Sequence, residues 1–391
     1  MIGSGVVVLL VVALGLGGYF YLSYQFHKIK KVTVHHLQPV PRAKPGKPAP
    51  PFTVLLVGSD SRAFVDTQGE CIAYSQAGDC KDSASGGQRS DVTILVRVVP
   101  ATHHIEMMSI PRDTWVAIPG HVPYISGENR INAAFNNGPS LLVQTIEQDF
   151  HIPINYYVDV NFIGLQNMVD AIGGIHLDFP YPIRDSESGL DTLTTGCQIV
   201  HGGRALALVR SRNIQWEASP GVWNNDPYSD FTRIRNQQTF FRAVIHQLNA
   251  EITNPFALND FISAAARNLT IDQTLTEGTL VSLAKEFHNF PPGSLKTETL
   301  PTVGPYITDG GAVEALLPAA AADDVMIKGF LAFGTSTTKV PTTTTRPSGA
   351  STSTTTTRPG KQTTVTTVAP TPTGETPIYN TQSEPYDVKN C

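Results

Sequence analysis

Apolar residues alternate between strand-like and helix-like patterns from about residue 52 to residue 333. The unbroken run Val54–Val57, between Pro51 and Gly58, predicts a strand buried on both faces. Further strands are predicted over Val92–Val99, Ile105–Ile110, Tyr156–Val160 and Ile175–Phe179. Helical spacing predicts helices over Leu141–Phe150, Phe162–Ile172, Thr239–Ile252, Phe256–Ala266 and Gly278–Phe287, while Ala205–Val209 fits either a strand or a helix end. This mixture predicts one α/β domain with three layers, a sheet between two layers of helices.

The amino terminus carries a long apolar stretch. From Ile2 to Leu22 no side chain is charged, and the stretch is long enough to cross the roughly 30 Å hydrocarbon core of a bilayer. Aromatic residues gather at its far end, as they do at membrane interfaces. A cleaved signal peptide is the alternative, but its apolar segment is normally shorter, and no Ala-x-Ala cleavage site follows here. We expect residues 1–26 to form a single transmembrane anchor.

Two low-complexity segments flank the predicted domain, which spans residues 52–333. Residues 27–51 are rich in proline and have no apolar period, which predicts a stiff stem between the membrane and the domain. Residues 334–391 are rich in threonine, proline and serine, and they contain too few large apolar side chains to offset the entropy of ordering. We expect this tail to be disordered and to end in a lone Cys391.

Two features conflict about the side of the membrane on which the domain lies. The three lysines in residues 28–31 favour the cytoplasm by the positive-inside rule. The tail is typical of a surface-exposed stalk, and Cys71 and Cys80 flank a short polar loop that suits a local disulfide. We expect export, with the domain on the extracytoplasmic side of the cell membrane.

Composition excludes some classes of partner. The 391 residues include 28 lysines and arginines against 33 acidic residues, so the formal net charge of −5 does not favour nucleic acid. The hydrophobic fraction of 41% is sufficient for a substantial core. The four cysteines show no metal-binding spacing. Basic residues are therefore expected to act in local clusters.

Charged residues gather at the predicted ends of the apolar elements. Asp60 and Arg62 follow the first strand, and Arg89 and Asp91 open the second. In open α/β sheets, ligands collect beyond the strand ends. Each residue alone also fits a structural role, such as a turn, an ion pair or the cap of a helix. The other charged positions of this kind are Arg112, Asp113, Arg210, Arg212, Asp230, Arg233 and Arg235.

Together these charges suit a metal-bound pyrophosphate. Guanidinium groups bind phosphate oxygens in a bidentate fork, and a helix amino terminus adds N–H donors. Two carboxylates beside them, Asp60 and Asp91, suit a hard divalent cation that bridges to the phosphates. We therefore expect Mg²⁺ as a cofactor. The chemistry would rest on electrostatic stabilisation of a leaving phosphate.

Six short motifs lie in a fixed order between residues 52 and 248. They are LLVGSDSR at residues 55–62, RSDVT at 89–93, SIPRDT at 109–114, RINAAF at 130–135, VDVNF at 158–162 with VDAIGGI at 169–175, and ALVRSR at 207–212. In order and spacing they resemble the LytR-CpsA-Psr family. No single motif would support this, whereas six in sequence do.

The resemblance implies a central mixed β-sheet between helices. It also implies an extracytoplasmic enzyme that moves a glycopolymer from a polyprenyl-pyrophosphate carrier to peptidoglycan and releases polyprenyl phosphate. By matching position, Asp60 and Asp91 would be the Mg²⁺ ligands, and Arg89, Asp91 and Arg112 the catalytic residues. Arg130 stands where the family often has lysine. The pyrophosphate-binding residues implied are Arg62, Arg89, Arg112, Arg130, Arg210, Arg212, Arg233 and Gln237.

The family also has an apolar tunnel for the isoprenoid chain. Amphipathic helices need a buried face in any case, so ordinary core packing is the alternative for its residues. Two features depart from the family pattern: Asn236 replaces an arginine, with Arg235 before it, and the insertion over residues 63–88 is long. The pairing of Cys197 with Cys391 is left open. The residues matched to the tunnel are Phe162, Leu165, Val169, Phe240, Phe241 and Val244.

Three functions are compatible with these residues. The first is a membrane-anchored phosphotransferase, in which the acceptor hydroxyl attacks the sugar-linked phosphate. Its proton would pass to Asp60, to Asp91 or to the metal-bound phosphate. The alternatives are a hydrolase of the same carrier and a non-catalytic binder of polyprenyl phosphate.

Overall fold

The computed structural model of the protein describes residues 21, 23–41, 48–60, 89–120, 127–192, 194–251, 254–286, 294–307, 314–333 and 384–391. The predicted membrane anchor lies almost entirely outside these residues, as do Arg62, the predicted Cys71–Cys80 disulfide and most of the tail. At Asp60 and Arg89 the backbone alone is described. No helix in these ranges is both long and apolar enough to span a bilayer.

Strands form a central sheet and several smaller sheets beside it. In chain order the strands are β1 Lys30–Val32, β2 Phe52–Asp60, β3 Arg89–Val99, β4 His104–Ile110, β5 Trp115–Ala117, β6 Glu128–Arg130, β7 Tyr156–Asn161, β8 Ile175–Phe179, β9 Ile183–Asp185, β10 Leu190–Thr192, β11 Gly196–Val200, β12 Gln215–Ser219, β13 Val222–Asn225, β14 Leu269–Asp272, β15 Leu295–Thr299, β16 Thr302–Ile307, β17 Glu314–Pro318 and β18 Lys389–Asn390.

Helices connect many of these strands. In chain order they are α1 Pro139–Phe150, α2 Phe162–Ala171, α3 Gly202–Arg210, α4 Asp230–Glu251, α5 Pro255–Asn268, α6 Glu277–Glu286 and α7 Ala320–Ala332. A 3₁₀ helix over Ile131–Asn137 precedes α1. The segment Ala205–Val209, which fitted either a strand or a helix end, is therefore helical. α4 begins before the predicted Thr239 because its first turns bury polar side chains, which interrupt the apolar period.

The central sheet has seven strands in the part of the chain that is described, in the order β1-β14-β7-β2-β3-β4-β15. β2 runs parallel to β7 and antiparallel to β3, and β4 runs parallel to β15. The sheet is therefore mixed. This confirms the predicted α/β fold with a central mixed sheet.

Helices cover both faces of the central sheet. Leu55 in β2 packs in one core cluster with Leu142 of α1 and Phe330 of α7. Met108 in β4 belongs to the same cluster, whereas its neighbour Ser109 accepts a hydrogen bond from α4. Because side chains alternate along a strand, α4 lies on the opposite face from α1 and α7.

Local signals define the ends of α2. The side chain of Asn161 accepts a hydrogen bond from the Gly164 amide, as expected of an N-cap residue. Gly164 also allows α2 to approach α5, since a Cβ atom there would lie 2.5 Å from Cβ of Asn268. Gly173 and Gly174 follow the helix with positive φ angles, where glycine is favoured. The predicted helix is thus confirmed at both ends.

The predicted stem contributes to the domain. Residues 30–32, assigned by composition to a spacer, form β1 and pair in parallel with β14 at the edge of the central sheet. Val34 and Leu37 then pack against the core cluster that contains Leu142 of α1. An edge strand of three residues is too short to show a period of two, so the sequence pattern missed it.

The carboxyl terminus contradicts the prediction of a tail that is disordered as far as a lone Cys391. Within residues 384–391, β18 pairs antiparallel with β8, and the Tyr386 and Val388 side chains are buried. Cys391 forms a disulfide with Cys197, and their Cα atoms are 5.9 Å apart. The compositional argument fails here because a few apolar side chains and one covalent bond are enough to hold a short segment.

Candidate functional site

A β-bulge places Asp91 at the end of the β2–β3 ladder. Gly58 pairs with Val92 and Ser59 with Ser90, which leaves Asp91 as the extra residue between them. A Cβ atom on Gly58 would lie 2.9 Å from Cβ of Val92, so glycine permits this close approach. Bulges redirect side chains at strand ends. Asp91 is thereby turned towards β4 and its carboxyl end.

Arg112 is the partner that Asp91 reaches. Its Nη1 atom donates to Oδ1 of Asp91 at 3.0 Å, and its Nε atom lies 3.3 Å from Asp113 and 3.6 Å from Asp230. Burial by itself would lower the pKa of the Arg112 guanidinium, but Asp230, Asp113 and Asp91 together raise it above the ordinary value. Arg112 therefore remains charged at the centre of three carboxylates.

Asp230 joins this group to the arginines of later motifs. Its Oδ1 atom accepts from Nε of Arg212 at 2.7 Å, and its Oδ2 atom accepts from Nη2 of Arg233 at 2.9 Å. Burial, opposed by the attraction of Asp230, lowers the pKa of Arg233, and repulsion from Arg112 and Arg212 acts in the same direction as burial. Asp230, in the first turn of α4, thus contacts Arg112, which follows β4, and Arg212, which follows α3.

Arg130 completes the described cluster. Its Nη1 atom donates to Asp113 at 3.2 Å, and 39% of its side chain is exposed. Arg212 is exposed to a similar extent, 41%, whereas 4% of the Arg233 side chain is exposed. The name "arginine cluster" is used below for Arg112, Arg130, Arg212 and Arg233 with their partners Asp91, Asp113 and Asp230.

The arginine cluster is arranged to receive an anion. Four guanidinium groups face three carboxylates, so positive charge is in excess. Arg130 and Arg212 are partly open to solvent, and Nε of the buried Arg233 has no hydrogen-bond partner among the described residues. Guanidinium donors left over in this way match the oxygens of a phosphate.

Arg210 lies apart from the ion pairs of the cluster. Its guanidinium is stacked over the ring of Phe162, with 4.8 Å between its central carbon and the ring centroid. Phe162 opens α2 and belongs to the residues matched to an isoprenoid tunnel. Of those six residues, Val169 and Phe240 are buried in the second core cluster, while Phe162, Leu165, Phe241 and Val244 are partly buried against it.

The polar residues after Arg233 point in different directions. Gln237 is buried, and its amide nitrogen donates to the Val209 carbonyl at 3.1 Å, which ties α4 to α3. Arg235 donates to Asp387 of the carboxyl-terminal segment at 3.0 Å. Asn236 is buried. Of the residues from Arg233 to Gln237, Arg233 is therefore the one that the structure brings to the cluster. Phosphate binding by Gln237 remains a prediction.

Asp113 and Asp230 acquire a role that sequence reasoning did not give them. The sequence places Asp230 and Asp113 among the charged residues at the ends of elements, with the cap of a helix as the structural alternative for Asp230, and gives neither of them a specific role. In the structure they are the two carboxylates that hold arginines from separate parts of the chain together. An aspartate three residues before an arginine at a helix start was the available signal, because such residues share a helix face.

The metal prediction depends on Asp60 and Asp91. Within the described ranges, no group of three or more His, Cys, Asp or Glu residues could hold a metal ion. Asp60 pairs in register with Arg89, so its backbone lies at the same end of the ladder as the Asp91 bulge. Two carboxylates at one place fit a Mg²⁺ ion that takes its remaining oxygens from phosphate and water.

Comparison with known proteins adds an independent observation. Residues 20–325 match the model of the LytR_cpsA_psr family. A probable cell wall biosynthesis protein, LcpB of Corynebacterium glutamicum, is 34% identical over 63% of this chain and 53% of its own length. The polyisoprenyl-teichoic acid–peptidoglycan teichoic acid transferase TagV of Bacillus subtilis is 30% identical over 57% of this chain and 54% of its own length. The chain thus spans about half the length of these two relatives.

Solved structures share the fold. A LytR-Csp2A-Psr enzyme from Actinomyces oris superposes with a TM-score of 0.58 at 22% identity, covering 77% of this chain and 95% of that one. The crystal structure of B. subtilis TagV gives a TM-score of 0.53 at 23% identity, covering 74% and 99%. These structures therefore share the fold of this chain over about three quarters of its length.

Proposed function

The chain belongs to the LytR-CpsA-Psr family, and from this premise we propose that it transfers a glycopolymer from a polyprenyl-pyrophosphate carrier to peptidoglycan. The observation that carries the proposal is the arginine cluster, which has an excess of guanidinium groups and leaves donors free for phosphate oxygens. The name of the B. subtilis relative, a transferase of teichoic acid to peptidoglycan, supports the same class of reaction. The products would be a phosphodiester-linked glycopolymer and polyprenyl phosphate.

The residues of the cluster would act on the two phosphates by position and charge. Arg130 and Arg212, which are partly exposed, would meet the incoming pyrophosphate, and the less exposed Arg112 and the buried Arg233 would hold it in place. Such preorganised donors stabilise the charge that develops on a leaving phosphate without reorganising during the reaction. Arg62, from the β2–β3 connection, and Arg89, the first residue of β3, would join them.

Mg²⁺ is proposed as the cofactor, with Asp60 and Asp91 as its protein ligands. A bound divalent cation neutralises charge on the pyrophosphate and orients it. Asp91 would keep its contact with Arg112 through one oxygen and offer the other to the ion. A carboxylate of this pair is also the group available to accept the proton of the acceptor hydroxyl.

An incompletely covered sheet face supports binding of the lipid. Val54 and Leu56 lie in β2, with strands on both sides, yet both side chains are only half-buried in the described structure. Val96 and Val158 beside them are half-buried too, whereas Ile94 opposite Leu56 is fully buried. Apolar side chains in the middle of a sheet are normally covered by closely packed neighbours. We propose that the isoprenoid chain lies between this face and the helices α2 and α4, beside Phe162 and its stacked Arg210.

The proposed location is the extracytoplasmic face of the cell membrane, with residues 1–26 as a single-pass anchor. The Cys197–Cys391 disulfide supports export, because disulfides form and persist in oxidising compartments. An anchored enzyme would meet a membrane-bound carrier on one side and peptidoglycan on the other.

The test uses the full chain in detergent, a carrier-linked glycan and Mg²⁺, with and without peptidoglycan. A transferase releases polyprenyl phosphate only when the acceptor is present, a hydrolase releases it without the acceptor, and a lipid binder releases none. The second and third results would each replace the proposed function with one of the alternatives.

A second arm addresses the metal. We expect Asp60→Ala and Asp91→Ala to lose both transfer and its Mg²⁺ dependence, and Asp324→Ala, which removes an exposed aspartate of α7, to retain them. Undiminished transfer in both site variants would show that the metal assignment is wrong.

A further inference from the structure

The four-stranded sheet β10-β9-β12-β13 has two faces of opposite character. Leu190 and Ile183 are buried on the inner face, where Trp216 stacks on Tyr386. On the outer face, Arg184, Asp191 and Asn225 are exposed within the part of the chain that the structure describes. Alternation along the paired strands places on it Asp191, Arg184, Gln215, Glu217, Trp223 and Asn225, which are called the polar face below.

Side chains of the polar face are held in a row across the sheet. Nε of Arg184 donates to Oε1 of Gln215 at 2.8 Å, and Nε2 of Gln215 donates to Oδ1 of Asn225 at 2.8 Å. The Arg184 guanidinium also lies over the Trp223 ring, 3.9 Å from its centroid. These contacts fix the orientation of the row but use only part of its hydrogen-bonding capacity, because each guanidinium and amide group has further donors.

The polar face adjoins the arginine cluster. β12 begins at Gln215, three residues after Arg212, so their Cα atoms are at most about 10 Å apart. The backbone amides of Arg212 and Asn213 both donate to Asp185, an inner-face residue of β9, at 3.0 Å, which fixes the sheet against the segment that carries Arg212. A molecule whose phosphate is bound at Arg212 would reach the polar face within one or two sugar units.

The charges and hydrogen-bonding groups of the polar face indicate which kind of ligand it binds. One guanidinium, Arg184, faces two carboxylates, Asp191 and Glu217, so the polar face offers no excess positive charge to a further phosphate. Amide and carboxylate groups in a row match the paired hydroxyl groups of a sugar ring. An indole beside them offers an apolar surface to the C–H face of the ring.

We propose that the polar face binds uncharged sugar residues of the donor glycan, next to its pyrophosphate. This inference rests on the proposed function, since it extends the same bound donor beyond its phosphates. The inner face gives the sheet a rigid support, because Tyr386 of the carboxyl-terminal segment stacks on Trp216 with 5.4 Å between ring centroids and donates a 2.6 Å hydrogen bond to Asp226. A supported row loses little conformational entropy when a ligand binds.

The experiment compares two probes on the full chain in detergent with Mg²⁺. One is geranylgeranyl pyrophosphate, and the other is the same lipid pyrophosphate carrying N,N′-diacetylchitobiose. We expect the wild type to bind the glycosylated probe at least tenfold more tightly. Trp223→Ala and Gln215→Ala should lose most of that difference while binding the bare probe within twofold of the wild type, and Trp223→Phe should restore part of it.

A matched control lies on the same hairpin. Val222, next to Trp223, is 52% exposed and does not belong to the polar face, so Val222→Ala should bind both probes as the wild type does. Equal wild-type affinity for the two probes, or an unchanged difference in Trp223→Ala and Gln215→Ala, would overturn the inference. Failure of the wild type to bind the bare probe would instead count against the proposed function.

Discussion

Asp230 is the residue on which the arginine cluster depends most. It contacts Arg212, Arg233 and Arg112, and 13% of its side chain is exposed. An ion pair in such a position is a weak source of stability as a whole, but removing one partner leaves a buried charge without compensation. The arrangement thus holds several positive charges together in the absence of substrate.

The first prediction concerns this carboxylate. Asp230→Ala leaves the buried Arg233 without its nearest anion, and we expect a loss of about 3 kcal/mol in the free energy of unfolding. Asp324→Ala removes an exposed pair with Lys328 and should cost less than about 1 kcal/mol. Urea denaturation of the two variants checks the difference, and equal losses would contradict the role of Asp230.

Asp323 is a buried carboxyl of a different kind. Only 4% of the residue is exposed, and neither side-chain oxygen has a hydrogen-bond partner in the described structure. Burial, reinforced by the neighbouring Asp324, raises its pKa from the ordinary value of 3.8 to about 7. The folded protein therefore keeps a proton that the unfolded chain releases near pH 4.

The second prediction follows from this pKa. As the pH rises from about 4 to about 7, the unfolded state gains stability by ionising Asp323, so the folded state loses up to about 4 kcal/mol over that window and the loss then levels off. Asp323→Asn should remove this contribution and unfold at higher denaturant concentration at pH 8. An identical pH dependence in the variant would show that Asp323 is not the group responsible.

At the scale of elements, α2 and α5 pack closely together, and a glycine sets their separation. Gly164 faces Asn268 across the contact, and Asn161 caps α2 beside it. The position matters for the site because Phe162, at the start of the same helix, carries the stacked Arg210. A shift of α2 would move both.

The third prediction tests this contact. Gly164→Ala places a Cβ atom 2.5 Å from Cβ of Asn268, and the helices must separate, which should cost about 1–3 kcal/mol of stability. Gly329→Ala in α7 meets no atom within 4 Å and should stabilise by up to about 1 kcal/mol through helix propensity. Thermal unfolding measures both, and a stabilised Gly164→Ala variant would contradict the packing described.

At the scale of the whole molecule, the carboxyl terminus returns to the domain. Asp387 pairs with Arg235 of α4 at 3.0 Å, Tyr386 supports β12, and the disulfide joins Cys391 to β11. The Thr/Pro/Ser-rich segment between residues 333 and 384 is consequently attached to the folded domain at both of its ends. The prediction of a tail that ends in a lone Cys391 is therefore wrong for residues 384–391.

The fourth prediction concerns the disulfide. It closes a loop of 194 residues, and its loss should lower the free energy of unfolding by up to about 5 kcal/mol through the entropy of the unfolded chain. Cys391→Ser, Cys197→Ser and the double variant should lose the same amount, because each removes the same bond. A double variant that loses the sum of the two single losses would point to effects other than the bond.

The sequence by itself determined the strands and helices with strong apolar periods, the family motifs and most residues of the charged site. Interactions between residues close in the sequence determine these features: β2 contains an unbroken apolar run, α2 has a cap and two terminal glycines, and Arg112 lies in the SIPRDT motif. Such signals lie within a few residues of each other, so they can be read without knowing the fold.

Tertiary structure alone decided which charges meet. Asp91 reaches Arg112 because a bulge turns it, and Asp230 joins arginines from two other parts of the chain, although no local pattern encodes those distances. Likewise β1 and the segment 384–391 are too short to be stable alone, and they are ordered by pairing with β14 and β8 and by the disulfide. Long-range packing supplies the energy for these features, which is why the sequence pattern missed them.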